Sequence, residues 1–186
     1  MLFRSNFLFK FIDGQFSPLH VSTVGFDYKS KIILLPQMKK TVKLQIWDTA
    51  GQEKYMSVNK NLFQRVQGII LMYDLTKRDT FERLNVWLNL IKQMTNEIPI
   101  ILIANKLDDE DQNRIVTYDE GLSFAKENGM QFFEASGMNG TNVDKCFITL
   151  SEIIIKNLQE GRSTISSSEF ILGKESKLRD KPKCKC

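Results

Sequence analysis

Residues 105–108 read Asn-Lys-Leu-Asp and follow directly on the apolar run Ile98 to Ala104, which places an NKxD motif at the C-terminal edge of a candidate strand. Open α/β sheets bind ligands at that edge. A carboxylate there accepts two hydrogen bonds, from guanine N1 and the exocyclic amine, a pairing that adenine cannot return. Asp108 would choose the base, Asn105 would tie neighbouring loops together, and the Lys106 stem would lie along the base plane. A second group stands in VKLQIWDTAGQE, Val42 to Glu53. Asp48 at a strand end can hold Mg²⁺ through water, the Gly51 N–H can meet a γ-phosphate without a side chain in the way, and Gln52 can orient an attacking water. Upstream, Thr23 in the run Ser22, Thr23, Val24, Gly25 offers a hydroxyl to the same metal. Singly, these have plainer readings: a polar turn at 105–108 and a loop hydroxyl at Thr23. Phosphoryl transfer needs a metal clamp and a water-positioning group together, and this chain carries both.

Positioning these residues requires strands and helices in alternation, and the hydrophobic pattern supplies them. Strand candidates are Lys31 to Leu35, Val42 to Trp47, Gly68 to Tyr73, Ile98 to Ala104 and Gln131 to Glu134; the third and fourth are continuous apolar runs suited to central strands, and the first two should pair as a hairpin. Helix candidates are Ser5 to Ile12, Thr80 to Met94, Thr117 to Asn128 and Asn142 to Leu158, with capping patterns at Thr117/Glu120 and Thr141/Asp144. That rhythm predicts an α/β fold with helices on the faces of a sheet. Trp87, with Leu84, Leu88 and Ile91 at helical spacing, is assigned to the core, and Cys146 is read as a small buried hydrophobe. His20 has no evident partner and is assigned no catalysis.

Length and charge narrow the class. The chain has 186 residues, 42% of them hydrophobic, enough for one good core and too few for two ordinary domains. Its 26 Lys and Arg against 22 Asp and Glu leave a formal charge of +4, too slight and scattered to demand nucleic acid. No run of 18 apolar residues exists, and the apolar start has no small-residue cleavage site behind it. A cytosolic default follows. With three cysteines, two of them at the extreme end, a disulfide framework is not expected.

The segments STVGFDYK, KLQIWDTAGQE, GIILMYDLT, ILIANKLD and FFEASG stand in an order and at a spacing that resemble the Rab members of the Ras-like small GTPases, over residues 5 to about 160. Val24 to Tyr28, Lys43 to Trp47 and the terminal Cys184, Lys185, Cys186 carry the Rab likeness. The resemblance implies a Ras-like, P-loop NTPase-type three-layer fold with a mostly parallel sheet. It also implies GTP/GDP and Mg²⁺ as cofactors and a switch in vesicle-mediated transport. Implied partners are exchange factors, GTPase-activating proteins, Rab effectors, prenylation machinery and GDP-dissociation inhibitor. The expected location is the cytoplasmic face of intracellular membranes, cycling with cytosol. Tyr28 and Trp47 would contribute to an apolar effector patch, with core packing as the alternative. Within the second guanine-side loop, where the family usually has S-A-K, this chain reads Ser136, Gly137, Met138; Ser136 and Gly137 are assigned to the nucleotide, the backbone N–H to the base oxygen. Residues 62–66 (LFQRV) depart from the family's tyrosine- and glycine-bearing segment, so effector identity is left open.

One departure is larger. The family's fold begins with a strand and a GxxxxGK[ST] loop whose N–H groups and lysine hold phosphates, and the sequence as given contains neither. Ser5 falls at the family's Mg²⁺-binding hydroxyl and Arg4 where the lysine belongs, a poor replacement because a planar fork is no compact ammonium. The missing strand is central in that sheet, so its neighbours should face a gap of about two strand spacings, roughly 10 Å. Two accounts are open: a GTPase shortened ahead of Met1, or a nucleotide-free scaffold with a Rab-like surface. Retention of Thr23, Asp48, Gly51, Gln52, Asn105, Lys106 and Asp108 favours the first.

After Gly161 the periodicity collapses into Ser-rich and then Lys-rich sequence. Residues 1–160 are expected to form the G domain, and 161–186 a flexible tail. Six basic residues fall within the last 13, ahead of a CXC ending that resembles the Rab double-geranylgeranylation signal at Cys184 and Cys186. Two lipids anchor stably where one is marginal, and the lysines add attraction to anionic leaflets.

Overall fold

The computed structural model describes residues 3–16, 26–49, 66–94 and 98–161. In chain order these form α1 (Phe3–Asp13), β1 (Phe26–Leu35), β2 (Lys40–Thr49), β3 (Ile69–Asp74), α2 (Arg78–Glu82), α3 (Leu84–Met94), β4 (Ile100–Asn105), a 3₁₀ turn (Leu107–Asp109), α4 (Glu110–Asn113), α5 (Tyr118–Glu127), β5 (Gln131–Ala135) and α6 (Val143–Gln159). The fold is α/β with a mostly parallel sheet. Strands β3, β4 and β5 pair in parallel in that order, and β1 and β2 form the expected antiparallel hairpin.

Strands β3 and β4 form on nearly continuous apolar runs, whereas the hairpin strands mix apolar with charged and polar residues. Ile101 to Ala104 of β4 are fully buried, as a central parallel strand covered on both faces must be. One face is covered by α1 and α6: Phe7, Leu8 and Phe11 of α1 join Ile101, Ile103, Cys146, Phe147 and Leu150, and also Ile33, Leu35 and Val42 of the hairpin. Phe11 stacks on Phe147 at 3.8 Å between centroids. Each fully buried large side chain here contributes about 1.5–3 kcal/mol. The opposite face carries Leu71, Tyr73 and Leu102 against Leu84, Trp87 and Ile91 of α3 and Ala125 of α5. Leu84, Trp87, Leu88 and Ile91 are the buried stripe of α3, at the expected helical spacing.

Among the described residues no ladder joins β2 to β3, so the hairpin and the parallel sheet are separate sheets held by shared core. The two sheet edges that the sequence reading expects to flank a missing strand are accordingly left without each other as partners.

Three local expectations are corrected. The single helix expected over Thr80 to Met94 is two, because the chain breaks at Arg83 between α2 and α3. Thr141 does not cap α6; its hydroxyl is taken by Asn139 Oδ1 at 2.7 Å, and Asn142 stands at the N-cap with φ 58°. The segment after β4, where no helix was expected, is wound into a 3₁₀ turn and α4. By contrast, Thr117 and Glu120 form the capping box that their spacing predicts. No described helix is long and apolar enough to cross a membrane.

Candidate functional site

The C-terminal ends of β3, β4 and β5 gather the base-reading candidates. Asn105 ends β4 and is almost fully buried; its Oδ1 accepts from the Gly137 N–H at 3.0 Å, so the N–H expected to meet the base oxygen is taken by Asn105 instead. Ser136, buried after β5, donates its hydroxyl to Asp108 Oδ1 and accepts from the Met138 and Asn139 N–H groups at 3.1 and 3.0 Å. Asp108 itself is exposed, so its carboxylate is oriented from behind and open in front. Lys106 takes a left-handed backbone conformation, φ 75°, which a non-glycine residue adopts at a cost of about 1–3 kcal/mol and which is concentrated at functional sites. Its ammonium lies 2.9 Å from Asp74 Oδ2.

Bracing around this edge is ionic. Arg114 grips Glu134 of β5 through two nitrogens at 2.7 and 3.0 Å and Glu110 at 2.5 Å, pinning the segment that carries Asp108 to the sheet. The Glu134 hydrogen bond is the main reason that the Arg114 guanidinium is held charged beyond its ordinary range. Arg78 donates to Glu120 at 2.6 Å, and this bond, with those from Thr117, holds the Glu120 carboxyl down to about 2. Burial first, then the Glu134 charge, pushes the Tyr73 phenol upward, and burial pushes the Cys146 thiol up to about 12. Cys146 is therefore a thiol packed as a hydrophobe.

The metal-side candidates are partly described. Ser5 on α1 donates its hydroxyl to Asp48 Oδ2 at 2.5 Å, 43 residues away in sequence. A hydroxyl and a carboxylate are hard oxygen donors of the kind that Mg²⁺ accepts when it keeps waters and phosphate oxygens as its other ligands. The donor set fits that ion, and Ser5 and Asp48 are the residues that would hold it. Thr23, Gly51 and Gln52 lie outside the described residues, as do His20 and the tail cysteines Cys184 and Cys186.

Two features went unread in the sequence. Asp74 is a buried carboxylate at the end of β3 whose Oδ1 accepts from the Thr76 N–H and hydroxyl at 3.0 and 2.6 Å; its signal was the Asp-x-Thr spacing after an apolar strand, an Asx-turn pattern. Gly137 is the other. A Cβ there would stand 3.1 Å from Phe7 Cα and 3.2 Å from Phe7 N, so the glycine lets α1 lie directly against the guanine-side loop. On the hairpin's outer surface Tyr28 and Trp47 are 42% and 45% exposed with rings 4.9 Å apart, which decides against core packing for both.

A family model described as the Ras family matches residues 3–156, most of the chain. With an α/β fold, a mostly parallel sheet and an NKxD edge braced in this way, the chain belongs to the Ras family of small GTPases.

Proposed function

We propose that this chain is a Rab-type switch, binding GTP or GDP with Mg²⁺ and tethered to membranes in vesicle-mediated transport. The observation that carries the nucleotide reading is the convergence of Asn105, Lys106, Asp108, Ser136 and Gly137 at one sheet edge, with Asp108 oriented by Ser136 and exposed to a ligand. Asp108 selects guanine through paired acceptors, Lys106 lies along the base, and Asn105, by holding the Gly137 N–H, fixes the loop after β5 beside the base. Ser5 and Asp48, with Thr23, provide the metal's oxygen ligands, and Gln52 orients the hydrolytic water. Mg²⁺ held by Ser5, Asp48 and Thr23 would supply charge neutralisation at the phosphates. Loss of the γ-phosphate then releases the segments around Thr23 and Gln52, changing which partners bind.

Rab character is supported by the exposed Tyr28–Trp47 pair, a surface for effectors, and by the CKC ending, a substrate for double prenylation. Regulators of the same kind as for other family members, exchange factors, GTPase-activating proteins and GDP-dissociation inhibitor, would act on it. A membrane-anchored scaffold that works without nucleotide is the second reading, favoured by one observation: among the described residues β2 and β3 share no ladder.

Titration of the whole chain with a fluorescent GTP analogue and Mg²⁺ separates the two. Saturable binding competed by GDP and not by ADP supports the switch. No binding at about 100 μM, far above what a specific site needs, supports the scaffold.

A further inference from the structure

Asp74 is 1% exposed and carries no role in the nucleotide reading so far. It closes β3 and sits opposite Asn105 in the parallel register, so its side chain belongs to the same edge as the NKxD motif. One oxygen is spent on Thr76, through the backbone N–H and the hydroxyl. Thr80 completes the turn, its hydroxyl accepting from the Asp74 N–H at 3.0 Å and bonding to the Lys77 carbonyl at 2.7 Å. The other oxygen, Oδ2, is buried without an aligned hydrogen bond and faces the Lys106 ammonium at 2.9 Å as an ion pair. A buried carboxylate oxygen with no such cation would be strongly unfavourable. Lys106 is 36% exposed along its side chain, so the pair stands at the boundary of the core, one end sealed and the other reaching the ligand edge.

The arrangement has a direction. Asp74 is fixed by its own turn, through bonds at its side chain and its N–H, whereas a lysine stem has four carbons about which it turns and loses rotamer freedom when it is held still. The rigid partner therefore places the flexible one. Lys106 is further constrained at its backbone, where its carbonyl accepts from the Asp109 N–H at 2.9 Å and its φ is 75°.

We propose that Asp74 is the positioning residue of Lys106: it anchors the ammonium at the tip of β3 and so lays the stem across the base-binding edge before ligand arrives. Asp74 touches no nucleotide and acts only through Lys106. The claim rests on the nucleotide reading for its functional consequence, while the anchoring itself is independent of it.

The test uses the full chain and its Asp74→Asn, Lys106→Gln and double variants, with Asp74→Ser, which also removes the anion, carrying the same comparison if Asp74→Asn does not fold. Two quantities are read: the rate at which Lys106 is modified by an amine-reactive ester, located by mass spectrometry, and the affinity for fluorescent GDP with Mg²⁺. Anchoring requires Lys106 modification to rise several-fold in Asp74→Asn with other lysines unchanged. Positioning requires each single variant to lose about tenfold in affinity and the double variant to lose no more than one of them, since both act through one contact. Unchanged Lys106 reactivity overturns the proposal, and so do losses that simply multiply. If the wild-type chain binds no guanine nucleotide, the switch reading fails, and the reactivity ratio alone still upholds or overturns the anchoring.

Discussion

The base edge and the metal edge of this molecule are built on opposite plans. At the base edge, Asn105 and Ser136 are buried at the ends of parallel strands, and each reaches across to another loop, one to Gly137 and one to Asp108. Arg114 locks the intervening segment to β5. At the metal edge, Ser5 and Asp48 come from a helix and from a hairpin that, among the described residues, shares no ladder with the parallel sheet, and a hydroxyl–carboxylate bond joins them. The residues proposed to select the base are thus preorganised at the strand ends. The phosphate half depends on elements held together by side-chain packing, and it gains most from ligand that binds only the assembled form.

If that contrast is right, the parallel sheet should be where stability resides. Leu102→Ala, at a position with no exposure, is expected to cost about 2–5 kcal/mol in urea unfolding, whereas Ile32→Ala on the outer face of the hairpin, 67% exposed, should stay within about 0.5. Equal losses would break the comparison. Next in size is base selection: Asp108→Asn replaces an acceptor by a donor and should reduce guanine nucleotide affinity about a hundredfold or more while improving that for xanthine nucleotide, measured by competition. A smaller effect is expected at the metal edge, where Ser5→Ala should raise the Mg²⁺ concentration needed for half-maximal nucleotide binding about tenfold with unfolding little changed. Smallest is the acid limb. Because Glu120 is held to about 2 when folded against an ordinary 4.5, its contribution is full above pH 4.5 and fades as pH falls toward 2. Glu120→Gln should therefore lower the urea midpoint at pH 6, and that difference should shrink steadily on acidification.

The parallel strands, the hairpin and the stripe of α3 were legible because burial dictates them through composition alone: an unbroken run such as Ile100 to Ala104 has few other fates. The NKxD residues stood out for a different reason, their types and order at a strand end, and the structure gathers them with Ser136 and Gly137 at one sheet edge. Asp74 was not, because a single acidic residue after a strand reads as solvated until its Thr76 and Lys106 partners are placed around it. The cap at Thr141 failed on competition. Asn142, not Thr141, stands at the N-cap, and the Thr141 hydroxyl turns back to donate to Asn139 Oδ1, a local bond that spacing alone does not reveal. The break at Arg83 likewise interrupts a pattern whose apolar periodicity runs on through it. Residues 17–25, 50–65 and 162–186, which include Thr23, Gln52 and both tail cysteines, lie outside the described residues, so those expectations stand on sequence chemistry.

Gly137 has a consequence for the whole ligand edge. Its Cα stands so near the Phe7 backbone that a single added methyl would sit 3.1 Å from Phe7 Cα, and Phe7 is only two residues beyond Ser5 on the same helix. Position 137 is therefore a spacer between the loop after β5 and the end of α1 that carries Ser5, the hydroxyl proposed to meet the metal. An alanine there would act as a shim, easing α1 outward and lengthening the Ser5–Asp48 reach, so that one methyl group would detune magnesium affinity from the far side of the nucleotide.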